Sequence, residues 1–410
     1  MTGTTFELDH DLEVRRSTYE LSVRLFRVLQ KVLKVNVKLH HSEGQIDKGE
    51  IFLFNHFARF ETFIPQYLIY RETGAMSRSV ASAEFFVKED AFSTYLLNAG
   101  AVPNNLPNLL PFLAKEVLRG RKVVVFPEGG MVKDRRVIDQ RGQFSVYSRK
   151  AKERRKHHTG AAVLGLALDV FKRAVLMAQQ RGHMRRLEAW TDDLGLDSVQ
   201  HLLRAAARPT VIIPANITFY PIRISDNLLR QGAELVSKGL SRRLSEELMI
   251  EGNILLKNTD MDVRLGDPIL PRDYWRWLDS PLMSRFVSRL TTLEEAFELE
   301  SVKSSLERRL RTRRMRVNIE RVRDEYMRRI YSDVTVNLSH LLSSLILILM
   351  ERGCREVRRR AMHQMLYLGV KNIQRLSSVH LHRSLRNPDT YSTLLDSEPA
   401  ALKQALITMR

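Results

Sequence analysis

Ile51-Phe52-Leu53-Phe54-Asn55-His56-Phe57-Ala58-Arg59-Phe60-Glu61 decides how this chain is read. Its first residues are apolar without alternation, the pattern of a strand buried on both faces. Asn55 suits a tight turn or a helix cap. From Phe60 to Arg71 the periodicity is helical. A buried strand turning into a helix is the repeating element of an α/β domain. His56 then stands at the carboxyl end of a strand, where such sheets place their sites.

A second stretch has the same form. Lys122-Val123-Val124-Val125-Phe126 is again a buried-strand pattern, followed by Pro127-Glu128-Gly129-Gly130. Proline ends the ladder and the glycines permit a tight turn. Backbone amides in such a turn can cradle an anion, and Lys133, Arg135 and Arg136 follow with charge suited to a phosphate. The plainer alternative is a surface turn with solvated charges.

Around these stretches, strand-like runs at Val35–Leu39, Val80–Phe86, Thr210–Tyr220 and Met261–Leu265 alternate with helical patterns. The helical patterns cover Leu109–Arg119, Gly160–Gln180 and Met184–Ala207. The expected fold is α/β, a mixed central sheet flanked by helices. Residues 17–35 read as an amphipathic helix with Leu21, Leu25, Val28, Val32 and Val35 on one stripe and Arg24, Arg27, Lys31 and Lys34 on another. That pattern fits a helix on an anionic membrane and equally one packed on the core. From about residue 282 the character becomes helical, with a dense arginine run between Leu306 and Arg329. The expected organisation is an N-terminal helical segment (1–45), a central domain (46–281) and a C-terminal helical region (282–410).

The 410 residues are 44% hydrophobic, which excludes a disordered chain, and 66 basic against 47 acidic residues give a net charge of +19. An anionic partner follows: a membrane surface, a phosphorylated substrate or nucleic acid. Nucleic acid is the weakest of these, because no recognition motif with interleaved aromatics accompanies the arginine run. Cys354 is the only cysteine, so no internal disulfide forms, as suits a reducing cytoplasm. Met1–Glu13 has no apolar core of the signal-peptide kind. The longest apolar stretch, Leu338–Met350, falls short of the roughly 18 residues of a membrane span and reads as a buried or interfacial helix. The expectation is a cytoplasmic protein associated peripherally with the membrane.

His56 and Glu61 are five residues apart, about 140° around a continuous helix. They meet only if His56 lies in the turn before the helix. A neutral imidazole there takes the proton of an attacking hydroxyl, and the carboxylate fixes its tautomer and steadies the imidazolium. Such assistance accelerates a reaction by about 10² to 10⁴. With no serine or cysteine nucleophile partnered nearby, direct attack by the substrate's own hydroxyl fits better than a covalent intermediate. The bland alternative is a histidine capping a turn beside a solvated glutamate.

The two stretches together resemble the glycerolipid acyltransferase family that includes the 1-acylglycerol-3-phosphate acyltransferases. That family carries an Asn-His-x4-Asp block and then a Phe-Pro-Glu-Gly block. Ala83-Glu84-Phe85-Phe86 through Leu97-Asn98-Ala99-Gly100-Ala101-Val102, Thr159-Gly160-Ala161-Ala162, and Val211-Ile212-Ile213-Pro214 are similar to its further blocks, in order. The resemblance implies a glycerol-3-phosphate acyltransferase-like fold, His56 as general base and Glu61 as its partner. It implies an acceptor site shaped by Asn55, Arg59, Pro127, Glu128, Gly129 and Gly130, with Lys133, Arg135 or Arg136 on a phosphate. The donor would be acyl-coenzyme A or an acyl carrier protein thioester, the acceptor a lysolipid or glycerol-phosphate-like alcohol. No metal or further cofactor is implied. Three departures stand out. Glu61 replaces the usual aspartate; the arginines expected after Val102 and after Gly130 are missing; and Leu168–Pro209 is an insertion that shapes a pocket or forms only a surface helix. They keep open a second reading, a catalytically silent relative that binds anionic lipid or a partner.

Overall fold

The structure is a computed structural model that describes residues 12–32, 35–56, 63–87, 91–129, 137–138, 144–148, 153–155, 157–220, 259–274, 281–298 and 306–386. Among the sequence-predicted site residues, Arg59, Glu61, Gly130, Lys133, Arg135 and Arg136 lie outside the described residues.

The strands in chain order are β1 (Asn36–His40), β2 (Ile51–Phe54), β3 (Ser77–Ala81), β4 (Ala101–Pro103), β5 (Lys122–Val125), β6 (Val146–Ser148), β7 (Glu153–Arg155), β8 (Ile212–Tyr220) and β9 (Asp260–Leu265). Seven of them form one sheet in the order β1-β9-β8-β2-β5-β3-β4, and β6 and β7 make a separate antiparallel ribbon. The architecture is α/β, a seven-stranded sheet flanked by helices. Pairing is parallel between β8 and β2, β2 and β5, β5 and β3, and β3 and β4. All of Ile51–Phe54 is buried, as a central parallel strand requires.

The chain divides into two compact units, one of residues 1–27, 41–215 and 266–330, the other of 28–40, 216–265 and 331–410. In the first, the helix Gly160–Gln180 is buried nearly all round, the mark of a helix inside a core. It lies close to the sheet at Gly165, where a Cβ would come within 2.7 Å of Ile212. Its Lys172 is buried and paired with Glu50 at 2.6 Å. The inserted stretch packs against this helix and is part of the core. Leu187, Trp190, Leu194 and Leu202 are buried, and the Trp190 ring meets Phe171 edge-on at 5.2 Å. A helix running unbroken from Met184 to Ala207 is not found. The structure has two, Met184–Leu194 and Val199–Ala207, because Gly195 turns left-handed at φ 59° and Ser198 caps the second by accepting the His201 N–H.

One further expectation is corrected. The strand expected at Val80–Phe86 lies at Ser77–Ala81, followed by a 3₁₀ turn at Ala83–Phe86. Its first three residues are polar yet buried: Arg78 pairs with Glu116 at 2.5 Å and Ser77 Oγ bonds Tyr19 Oη at 2.9 Å. The N-terminal helix, Arg16–Val32, leaves Leu21, Leu25 and Val28 exposed, while Tyr19 and Val23 are buried. The aromatic rings decide its orientation: Tyr19 packs on Tyr70 at 5.4 Å and Phe26 on Tyr67 at 4.8 Å. Aromatic rings bury more area than leucines, and Tyr19 carries a satisfied hydroxyl as well.

In the second unit, β1 and β9 pair in parallel and Asp260 accepts from Asn36, Lys38 and His382. Two short parallel strands, β10 (Thr335–Val336) and β11 (His380–Leu381), interrupt an otherwise helical C-terminal stretch. The helices Leu338–Glu351 and Arg359–Gln374 close over Leu338, Leu342, Leu366, Val370 and Leu385. Among the described residues, no helix is long and apolar enough to cross a membrane.

Candidate active site

Strands β2 and β5 are neighbours, with Ile51 opposite Val123 and Leu53 opposite Val125. Because they run parallel, both carboxyl ends emerge at the same edge of the sheet. One delivers Asn55 and His56, the other Phe126, Pro127, Glu128 and Gly129. Residues some seventy positions apart in sequence are thereby brought together: Glu128 Oε2 accepts the His56 backbone N–H at 2.8 Å.

Glu128 is fully buried. A carboxylate in that position anchors the backbone that carries the imidazole. The His56 ring is half-buried and tilts against Phe126 at 5.0 Å, with Phe126 in turn 6.3 Å from Phe54. Asn55 is buried at the strand end. The next described helix begins at Phe63.

The turn itself is tightly specified. The Gly129 N–H donates to the Phe126 carbonyl at 3.0 Å, so this amide closes the turn and is not offered to an anion. Gly129 has φ 66°, a left-handed conformation that favours glycine. A Cβ there would also overlap the His158 ring, which lies directly over it. His158 is itself fixed by its backbone: its N–H donates to the Pro127 carbonyl at 3.1 Å and its carbonyl accepts from Tyr326 Oη at 2.7 Å. Burial pushes the Tyr326 phenol well above its ordinary value, so it stays protonated as a donor.

His158 and Tyr326 are the contributors that sequence reading missed. His158 directly precedes the Thr159-Gly160 helix start, and a histidine so close to a matched block was the available signal. Tyr326 sits in the arginine-rich helix Leu306–Ser332, where charge density drew attention away from the apolar face. Among the described residues, no group of three or more histidine, cysteine, aspartate or glutamate side chains is placed to share a metal ion.

No protein-family model matches this chain, and no curated protein matches it significantly.

Proposed function

We propose that the protein is an O-acyltransferase that moves a fatty acyl group from a thioester, acyl-coenzyme A or an acyl carrier protein conjugate, to the hydroxyl of a lysolipid or glycerol-phosphate-like acceptor. The observation that carries this reading is the joining of His56 to the Pro127-Glu128-Gly129 turn at the carboxyl ends of adjacent parallel strands. Ordered motif blocks along the chain support it from the sequence side.

In this reading the imidazole of His56 takes the proton as the acceptor oxygen attacks the thioester carbonyl carbon. The tetrahedral intermediate collapses with cleavage of the C–S bond, and the imidazolium proton passes to the departing thiolate. Glu61 is carried over by resemblance as the partner that steadies the imidazolium. Glu128 holds the His56 backbone, and Tyr326 and His158 keep the turn in shape. The chain would act at a cytoplasmic membrane face, held there by its excess positive charge and by the exposed Leu21, Leu25 and Val28 beside Arg24 and Arg27.

The test is incubation of the purified protein with labelled acyl-coenzyme A and acyl carrier protein thioesters against a panel of lysolipids. A product of mass acyl-plus-acceptor is expected. Lipid binding without turnover on any thioester would favour the silent reading, which the glutamate at position 61 and the missing arginines motivate. A Glu61→Asp variant that turns over where the natural chain does not would return the site to catalysis with a relaxed motif.

A further inference from the structure

The helices Leu338–Glu351 and Arg359–Gln374 form a hairpin whose base and tip differ in kind. At the base, Leu338, Leu342, Leu366 and Val370 are buried together. Toward the tip the first helix continues as Leu345-Ile346-Leu347-Ile348-Leu349-Met350. Leu347, Ile348 and Met350 there are 59%, 47% and 65% exposed. These three project over about 160° of the helix surface, since successive residues are about 100° apart. A protein groove takes a narrow stripe at i, i+3, i+4 and i+7. An apolar face this wide suits a lipid surface better than a groove.

The connection between the helices supplies the charge. Arg352, Arg355, Arg358, Arg359 and Arg360 are exposed, against only Glu351 and Glu356. The tip is held in shape by its backbone: Arg352, Gly353 and Cys354 donate to the carbonyls of Ile348, Met350 and Leu349, with Gly353 at φ 76°. An apolar helix face followed by guanidinium groups on the connection matches the acyl and phosphate layers of an anionic bilayer along whose surface the helix lies. Interfacial helices lie in the bilayer plane with the apolar face about 5–10 Å deep.

We infer that this hairpin is a membrane-insertion element. Lying along an anionic bilayer, it sinks Leu347, Ile348 and Met350 into one leaflet while the arginines of the connection engage lipid phosphates. The inference specifies a membrane contact for the protein proposed above and so rests on that reading for its biological setting. Its physical test is separate, because insertion is measured without acyl transfer.

Cys354, exposed at the tip and the only cysteine of the chain, accepts a polarity-sensitive fluorophore without further substitution. The full-length labelled protein is mixed with phosphatidylcholine–phosphatidylglycerol vesicles carrying nitroxides at the headgroup or along the acyl chain. A blue shift and quenching by headgroup nitroxides are expected. The triple variant Leu347→Ser, Ile348→Ser, Met350→Ser should lose both signals and at least about tenfold in vesicle affinity, with thermal melting unchanged. Replacing an arginine of the connection by glutamine should weaken binding about fivefold for each residue. The inference is overturned if the protein pellets with vesicles while the tip probe stays in water, or if the triple variant binds as well as the parent. It is equally overturned if light scattering shows the tip covered by a second copy of the chain, which the triple variant would dissociate. Tip insertion with no acyl transfer would sink the enzymatic reading alone; transfer with no tip insertion would sink this inference alone.

Discussion

Replacing Glu128 by alanine separates a built site from a chance approach of two turns. The buried carboxylate accepts the His56 N–H at 2.8 Å. Removing one partner of a buried hydrogen bond costs about 1–3 kcal/mol, and here it leaves the His56 amide without this acceptor. The expected effect is a loss of that size in local stability at the end of β2. Since about 1.4 kcal/mol is a factor of ten, hydrogen exchange at the His56 amide should accelerate about ten- to a hundredfold. Glu128→Gln keeps an acceptor oxygen without the charge and should fall between. Under the proposed chemistry, Glu128→Ala also lowers kcat more than it raises KM, because the imidazole loses its register while the acceptor pocket persists. Displacements of about 1 Å at a reacting group cost on the order of a hundredfold in rate. Unchanged exchange at His56 in Glu128→Ala would refute the claim that this carboxylate holds the site.

Gly129→Ala should destabilise the turn by at least about 1–2 kcal/mol from its left-handed backbone alone, with an added cost from displacing His158. Urea unfolding measures this, and a shift below about 0.5 kcal/mol would contradict the described turn. Asp169, pushed up to about 6 chiefly by burial, gives a pH dependence. Its folded value lies above its unfolded one, so its contribution is fully present below about pH 4 and is lost as pH rises through 6. Asp169→Asn should therefore gain up to about 3 kcal/mol on the parent at neutral pH and nothing near pH 4, measured by denaturant unfolding at both.

The sheet was legible because its central strands are apolar on both faces: Ile51–Phe54 and Lys122–Val125 stand in the structure nearly where their patterns place them. The strand Ser77–Ala81 was not, since Arg78 and the serines read as surface residues until Glu116 and Tyr19 are seen across the fold. Hydrophobic periodicity marked the first helix but left open which face packs on the core, because Tyr70 and Tyr67, the partners of Tyr19 and Phe26, lie far along the chain. The break at Gly195 had a local signal, a glycine with a serine shortly after it, within an otherwise continuous helical pattern. At the site, His56 and Glu128 were both singled out, but their joining through a backbone amide could not be read from residue types. It depends on β2 and β5 being neighbours in parallel register. His158 reached the turn from a third segment and needed the fold to be seen.

The central claim is that the His56 imidazole is the base of an acyl transfer. The most direct test is single-turnover transfer from a labelled acyl thioester to the best acceptor, comparing the parent with His56→Ala and checking that both melt alike. A fall in rate of about 10² to 10⁴ with fold retained is the predicted result, and transfer at the parental rate in His56→Ala would contradict it.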